Sequence, residues 1–232
     1  MSVSFVSNQS ESDWMPFFTA DFWSIVWLSL EVSGTAVLIS SLIGVPCGVW
    51  LGLSQYRGRR IISAIIHTGM ALPPVVVGLL LYLMLSRSGP LAFLGWLFTP
   101  EAMIAAQTIL ALPFVIGITM SSVAAVPSEL SSQIKSLGAS DWQCRWIILR
   151  EAHHGVLLAV AAAFGRSISE VGAVLIVGGN IEGYTRVLTT AIILETSKGQ
   201  FEFALALGAV LLSVALLVNV LLLRLQGNRW LA

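Results

Sequence analysis

The chain has 232 residues, of which 56% are hydrophobic and only 10% charged, and its twelve Lys and Arg balance its twelve Asp and Glu. A soluble domain carries about 25% charged residues, so this composition excludes an ordinary water-soluble fold and points to an all-α protein that crosses a membrane several times. Zero net charge gives no basic surface for nucleic acid.

The length suits one domain of several helices. The N-terminal stretch 1–21 is acidic, with Glu11, Asp13 and Asp21, and lacks the positive region of a signal peptide; it reads as a retained extracytoplasmic tail. Residues 22–227 then form the transmembrane domain and 228–232 a short cytoplasmic tail. Cys47 sits in an apolar run and Cys144 in a polar one, a pairing that suggests neither a disulfide framework nor a metal site.

A hydrocarbon core of about 30 Å needs roughly 20 apolar residues in helix. Five stretches qualify, at about 24–53, 61–86, 101–126, 155–179 and 203–225. Each must be helical, since unsatisfied backbone groups in lipid cost several kcal/mol. Pro46, Pro73-Pro74 and Pro113 fall inside the first three and predict local kinks or breaks. Such kinks suit a path that opens and closes, although proline is also simply common in membrane helices.

With the N-terminus outside, the inner side carries Arg57, Arg59, Arg60, Lys135, Arg145, Arg150, Arg224 and Arg229, and the outer side Arg87, Arg186 and Lys198. That bias of eight against three follows the positive-inside rule. It places the N-terminus outside, the C-terminus inside and residues 128–152 in the cytoplasm.

Residues 128–152, SELSSQIKSLGASDWQCRWIILREA, interrupt the apolar chain with a polar helical segment. Pro127 ends the third span and Ser128-Glu129 starts a new helix, which stops at Gly138, a residue suited to a left-handed turn. Ser140 and Gln143 have capping-box spacing for a second helix. On that helix Trp142, Trp146 and Leu149 share one apolar face. Amphipathicity leaves two readings open: a socket for a soluble partner, or a helix pair lying on the bilayer surface.

In the fourth span Ala161, Gly165, Ser169 and Ala173 recur every four residues, as expected where helices approach closely. Arg166 and Glu170 lie beside that stripe. A charge at mid-bilayer is costly and usually pairs, so an intrahelical ion pair near the cytoplasmic end is preferred over a transient contact for a passing dianion. Gly178-Gly179-Asn180 ends the span, and no GxxxxGK[ST] occurs anywhere. ATP, if used, must be hydrolysed by another polypeptide. Thr185, Thr189, Thr190 and Thr196 place hydroxyls on the next, partly apolar segment. Glu31, Gln107 and Asn219 are expected to make interhelical hydrogen bonds. His67, His153 and His154 lack neighbours at metal-ligand spacing, so no metal site is expected. No repeat between the halves supports a secondary transporter, and no span holds a nucleophile and base or a carboxylate dyad for enzymatic chemistry.

Leu137-Gly138-Ala139-Ser140, after a helix and before Trp142 and an apolar helix, resembles the EAA loop of ABC importer permeases. Ser132, Gln133 and Ile134 stand where that family has Glu-Ala-Ala, and Arg150-Glu151 replace its Leu-Pro pair. Segments 81–100, 165–181 and 186–199 resemble tungstate-type permeases, in the group that also takes molybdate and sulfate. The resemblance implies a type I importer transmembrane domain in a bacterial or archaeal cytoplasmic membrane. It implies a second copy of the chain, two ATPase subunits holding ATP and magnesium, and an extracytoplasmic oxyanion-binding protein as partners. By the same likeness Ser136, Leu137, Gly138, Ala139, Ser140 and Trp142 couple to the ATPase, and Thr189 and Thr190 lie near the outer gate.

Overall fold

The structure is a computed structural model that describes residues 20–54 and 57–225. The tails at 1–19 and 226–232, which contain most of both expected extramembrane ends and Arg229, lie outside the described residues. Among the described residues the chain is helical, without strands.

Helix α1 (Ala20–Leu53) packs along α4 (Pro100–Ala124) as the axis of the bundle. The close approach comes from Gly44, Gly48 and Gly52, spaced four apart on α1. A Cβ at Gly48 would lie 2.8 Å from the Ile116 carbonyl oxygen and from Thr119 Cβ, and one at Gly52 2.9 Å from the Met120 carbonyl oxygen. Small residues in this register let two backbones touch. The proposed stripe in the fourth span behaves differently: Ala161 and Ala173 are buried, but Ser169 is exposed and nothing stands within 4 Å of a Cβ at Gly165. Ala159, Ala163 and Ser167 supply the packed face there.

Both helices run unbroken through their prolines, Pro46 and Pro113. Only Pro73-Pro74 breaks a span. It divides the expected second span into α2 (Arg59–Met70) and α3 (Pro74–Leu85), bent by 92°. Two consecutive prolines explain the bend: Pro73 is held extended at ψ 121° because the next residue is proline, and Pro74 starts α3 at a position that needs no N–H.

After α4, α5 (Ser128–Ser136) and α6 (Asp141–Glu151) form a hairpin, and α7 (His153–Ile168) leaves α6 at 66°. The expected fourth span is α7 plus α8 (Gly172–Gly178), interrupted at 169–171. A loop leads to α9 (Leu188–Ser197), and Gly199 at φ +80° turns the chain into α10 (Phe201–Leu225). Among the described residues three helices, α1, α4 and α10, are long and apolar enough to cross a membrane, or five spans if the bent pairs α2–α3 and α6–α7 each count as one.

The core lies in stacked layers. At one end Val32, Val77, Leu81, Met103, Ala106, Val174 and Val177 pack together. At the other, Val49 and Val123 of α1 and α4 hold Ile134, Cys144, Ile148 and Ala152 of the hairpin. The polar singletons correct the expectation of interhelical bonds. Glu31 is exposed with no bond among the described residues, Gln107 Oε1 is buried without a partner, and Asn219 Nδ2 donates within its own helix to Ala215, 2.9 Å away.

Candidate functional site

Two constructions stand out, the α5–α6 corner and the interruption between α7 and α8.

At the corner, local signals build a rigid turn. Gly138 adopts φ +86°; its N–H donates to the Lys135 carbonyl at 3.0 Å and that of Ala139 to Ile134 at 3.3 Å. These are the two bonds of a Schellman C-cap, whose left-handed residue is normally glycine. The capping box forms as spaced. Gln143 N–H donates to Ser140 Oγ at 3.3 Å, and Ser140 N–H to Gln143 Oε1 at 2.8 Å. Lys135 Nζ reaches Asp141 across the corner at 2.9 Å. The hydrogen bond and the charge of Asp141 hold the ammonium above the usual lysine range, and those of Lys135 hold the carboxylate below its own. Ser136 is exposed and its hydroxyl donates back to Ser132.

The hairpin is seated by Ile134, Cys144 and Ile148, and Cys144 Sγ lies 3.4 Å from Ser131 Oγ. This corrects the expected apolar face. Leu149 packs with the seated residues, whereas Trp142 and Trp146 point away and are 75% and 55% exposed. Both Trp142/Trp146 and Cys144/Ile148 are four apart, so spacing alone cannot say which pair is seated. Leu137, at 88% exposed, and Ile147 join the two tryptophans around a cleft of about 550 Å³ with Gly138, Ala139 and Gln143 on its walls. A soluble surface rarely presents so many large apolar side chains together without a partner.

The second construction brings Arg166, Glu170 and Thr189 together. Arg166 Nη1 lies 2.7 Å from Glu170 Oε2. The expectation of a pair inside one helix is corrected. Arg166 is in the last turn of α7 and Glu170 lies beyond its end, thirteen and seventeen residues past His153. At the interruption Ser169 Oγ bonds back to the Gly165 and Arg166 carbonyls at 2.8 and 3.2 Å. Glu170 Oε1 meanwhile accepts the Ala173 N–H of α8 at 3.1 Å. The Glu170 carbonyl accepts Thr189 Oγ1 of α9 at 2.9 Å. One buried residue therefore ties three helices.

Thr190 works locally, its Oγ1 accepting the Val187 N–H at 3.1 Å where α9 begins. Ser29 of α1, which the sequence did not single out, accepts the next N–H, that of Leu188, at 2.8 Å. A serine in an apolar helix was the only signal. Thr185 Oγ1 donates to the Gly178 carbonyl and accepts from Ile181 N–H, closing the loop after α8. Thr196 is exposed and bonds within α9. The His153 and His154 rings stack at 3.8 Å, and His153 Nδ1 lies 2.7 Å from the Arg150 carbonyl. Among the described residues no group of three or more His, Cys, Asp or Glu could hold a metal ion.

Comparison with known proteins places the chain as a whole. The chain is 47% identical over 203 residues to a probable anion ABC transporter permease protein of Haloferax volcanii, covering 85% of this chain and 88% of that protein. It is 42% identical over 209 residues to the tungstate uptake system permease protein TupB of Peptoclostridium acidaminophilum, covering 90% and 92%. A solved structure of the MetNI methionine ABC transporter in inward-facing conformations superposes with a TM-score of 0.73 at 19% identity, over 92% of this chain and 99% of that one, which shows a shared fold. Residues 44–229 match the profile of one family over most of the length, and the chain belongs to it: the binding-protein-dependent transport system inner membrane components.

Proposed function

We propose that this chain is the permease subunit of an ATP-driven importer that carries tungstate across the cytoplasmic membrane. The α5–α6 corner is its docking point on a separate ATPase. The observation that carries this reading is the outward apolar corner of Leu137, Trp142, Trp146 and Ile147 on a seated, doubly capped hairpin. The likeness to a tungstate permease supports the substrate. Two copies of the chain enclose the path, each engages one ATPase, and an extracytoplasmic receptor delivers the anion.

The geometry suggests how force reaches the membrane. The ATPases, holding ATP and magnesium, draw the two hairpins together as they close. α6 joins α7 through Ala152 alone, and its buried side chains grip the ends of α1 and α4. A displaced corner therefore moves α7 as a lever, and the motion arrives at the α7–α8 interruption, where Glu170 ties α8 and α9. Thr189, at that tie, is the proposed link to the outer gate.

The test is reconstitution of permease, ATPase and receptor into proteoliposomes. Tungstate uptake should require ATP and all three components, and molybdate and sulfate should compete more weakly. Uptake that persists without any ATPase would overturn the proposal and favour a secondary transporter or channel.

A further inference from the structure

We propose that the α7–α8 interruption carries a low-affinity oxyanion subsite. In it, Arg166 N–H groups not engaged by Glu170 and the Ser169 hydroxyl hold a tetrahedral dianion, while Glu170 keeps that hold weak. The inference rests on the importer reading above and adds a place on the path.

The argument starts from depth. Arg166 stands thirteen residues into α7, about 20 Å from its start at 1.5 Å per residue. That is well inside a hydrocarbon layer about 30 Å thick. Yet its side chain is 25% exposed, and among the described residues its guanidinium makes one hydrogen bond, through Nη1 to Glu170. A guanidinium has five N–H donors. Open donors at this depth are costly against lipid, so this surface borders water, the anion or the second copy of the chain.

The neighbouring residues give the same surface room and a second donor. Gly165 offers open space where a side chain would stand, and Ser169, one turn on, is exposed. Among the described residues the Ser169 hydroxyl bonds only to carbonyls of its own helix end. It can turn outward at the cost of a weak local bond.

Glu170 resolves the difficulty of a strong cation on a transport path. An isolated arginine would retain a dianion, and conduction needs sites weak enough to leave. The carboxylate, 2% exposed and 2.7 Å from Nη1, makes the pair neutral while leaving the remaining fork free. The planar fork suits two oxygens of a tetrahedral anion. Because the same carboxylate accepts the Ala173 N–H in the first turn of α8 and the Glu170 carbonyl holds α9, movement of α7 alters the grip of Glu170 on Arg166. That couples release of the anion to the lever.

The experiment measures radiolabelled tungstate binding to the purified permease–ATPase complex without receptor, and uptake in proteoliposomes with receptor. Glu170→Gln should bind tungstate at least about tenfold more tightly, the order expected when a unit charge is removed beside a dianion at an effective dielectric near 20. Its KM and kcat should fall together. Arg166→Gln should abolish that binding. Ser169→Asp should weaken binding and slow uptake at least about tenfold while receptor-stimulated ATP hydrolysis continues, and Ser169→Ala should fall between it and the parent. If Glu170→Gln fails to assemble, Ser169→Asp decides, since Ser169 is exposed and its hydroxyl bonds, among the described residues, only carbonyls of its own helix end. Parent-like binding and uptake in Ser169→Asp would overturn the subsite. A parent complex that holds no ATPase would overturn the importer reading instead.

Discussion

Replacing Trp142 by alanine should separate docking from folding. The side chain is 75% exposed, so its loss removes little from the permease itself, and the melting temperature of the detergent-solubilised chain should hold within about 2 °C. A buried aromatic covers about 150–250 Å². Covering the exposed three-quarters in a partner groove at about 25 cal/mol per Å² is worth about 3–5 kcal/mol. Truncation of such an anchor typically costs about 2–4 kcal/mol, so affinity for the ATPase should fall roughly 30- to 1000-fold, and uptake with it. The contrasting variant is Ile148→Ala, 2% exposed, which should destabilise the hairpin by about 2–5 kcal/mol. Surface plasmon resonance on nanodisc-embedded permease gives the affinity, and differential scanning fluorimetry the stability. Trp142→Ala that binds the ATPase like the parent but melts early would refute the claim that this face points at a partner.

Other changes test other joints. Gly138→Val should cost about 1–2 kcal/mol of hairpin stability from its left-handed φ alone, since nothing lies near a Cβ there; Gly138→Asn should keep ATPase association. Gly48→Val should lower the thermal stability of the solubilised chain sharply by pushing α1 off the Ile116 carbonyl, whereas Gly34→Ala, with nothing within 4 Å, should be close to neutral. Thr189→Val should cost about 1 kcal/mol by leaving the buried Glu170 carbonyl without its donor, and slow uptake more than ATP hydrolysis. The Lys135–Asp141 pair gives a pH prediction. The lowered carboxylate contributes above its ordinary range and is lost as pH falls through its depressed value, and the raised ammonium contributes below its ordinary range and is lost as pH rises through its elevated one. Between about pH 5 and pH 9, ATPase affinity should therefore carry no slope from this pair, which titration of Lys135→Ala against the parent would reveal.

The corner was legible in the sequence because its instructions are local: Pro127, Gly138 and the Ser140/Gln143 spacing each act within one turn, and each acts in the structure as read. The direction of α6 was not legible, because Trp142/Trp146 and Cys144/Ile148 have identical spacing and only the seat offered by Val49 and Val123 chooses between them. Prolines were uneven guides. A tandem pair forces a bend, while Pro46 and Pro113 lie inside helices that stay continuous. The break at 169–171 contains no proline; there the side chains of Ser169 and Glu170 bond backbone groups of α7 and α8, a pairing that spacing did not reveal. Sequence placed Arg166 and Glu170 together but not Thr189, whose arrival depends on the tertiary return of α9. The Gly44, Gly48 and Gly52 series is a four-residue repeat in the sequence and marks a close helix contact, which Gly165 in the series on the fourth span does not.

The claim beneath the whole account is that the outward tryptophan corner meets a protein. A photo-crosslinking amino acid placed at position 142 in the assembled transporter, in native membranes, tests it most directly. Irradiation should yield an adduct with the ATPase, strengthened or weakened by ATP. An adduct with lipid alone would show the hairpin lying on the bilayer and contradict the account.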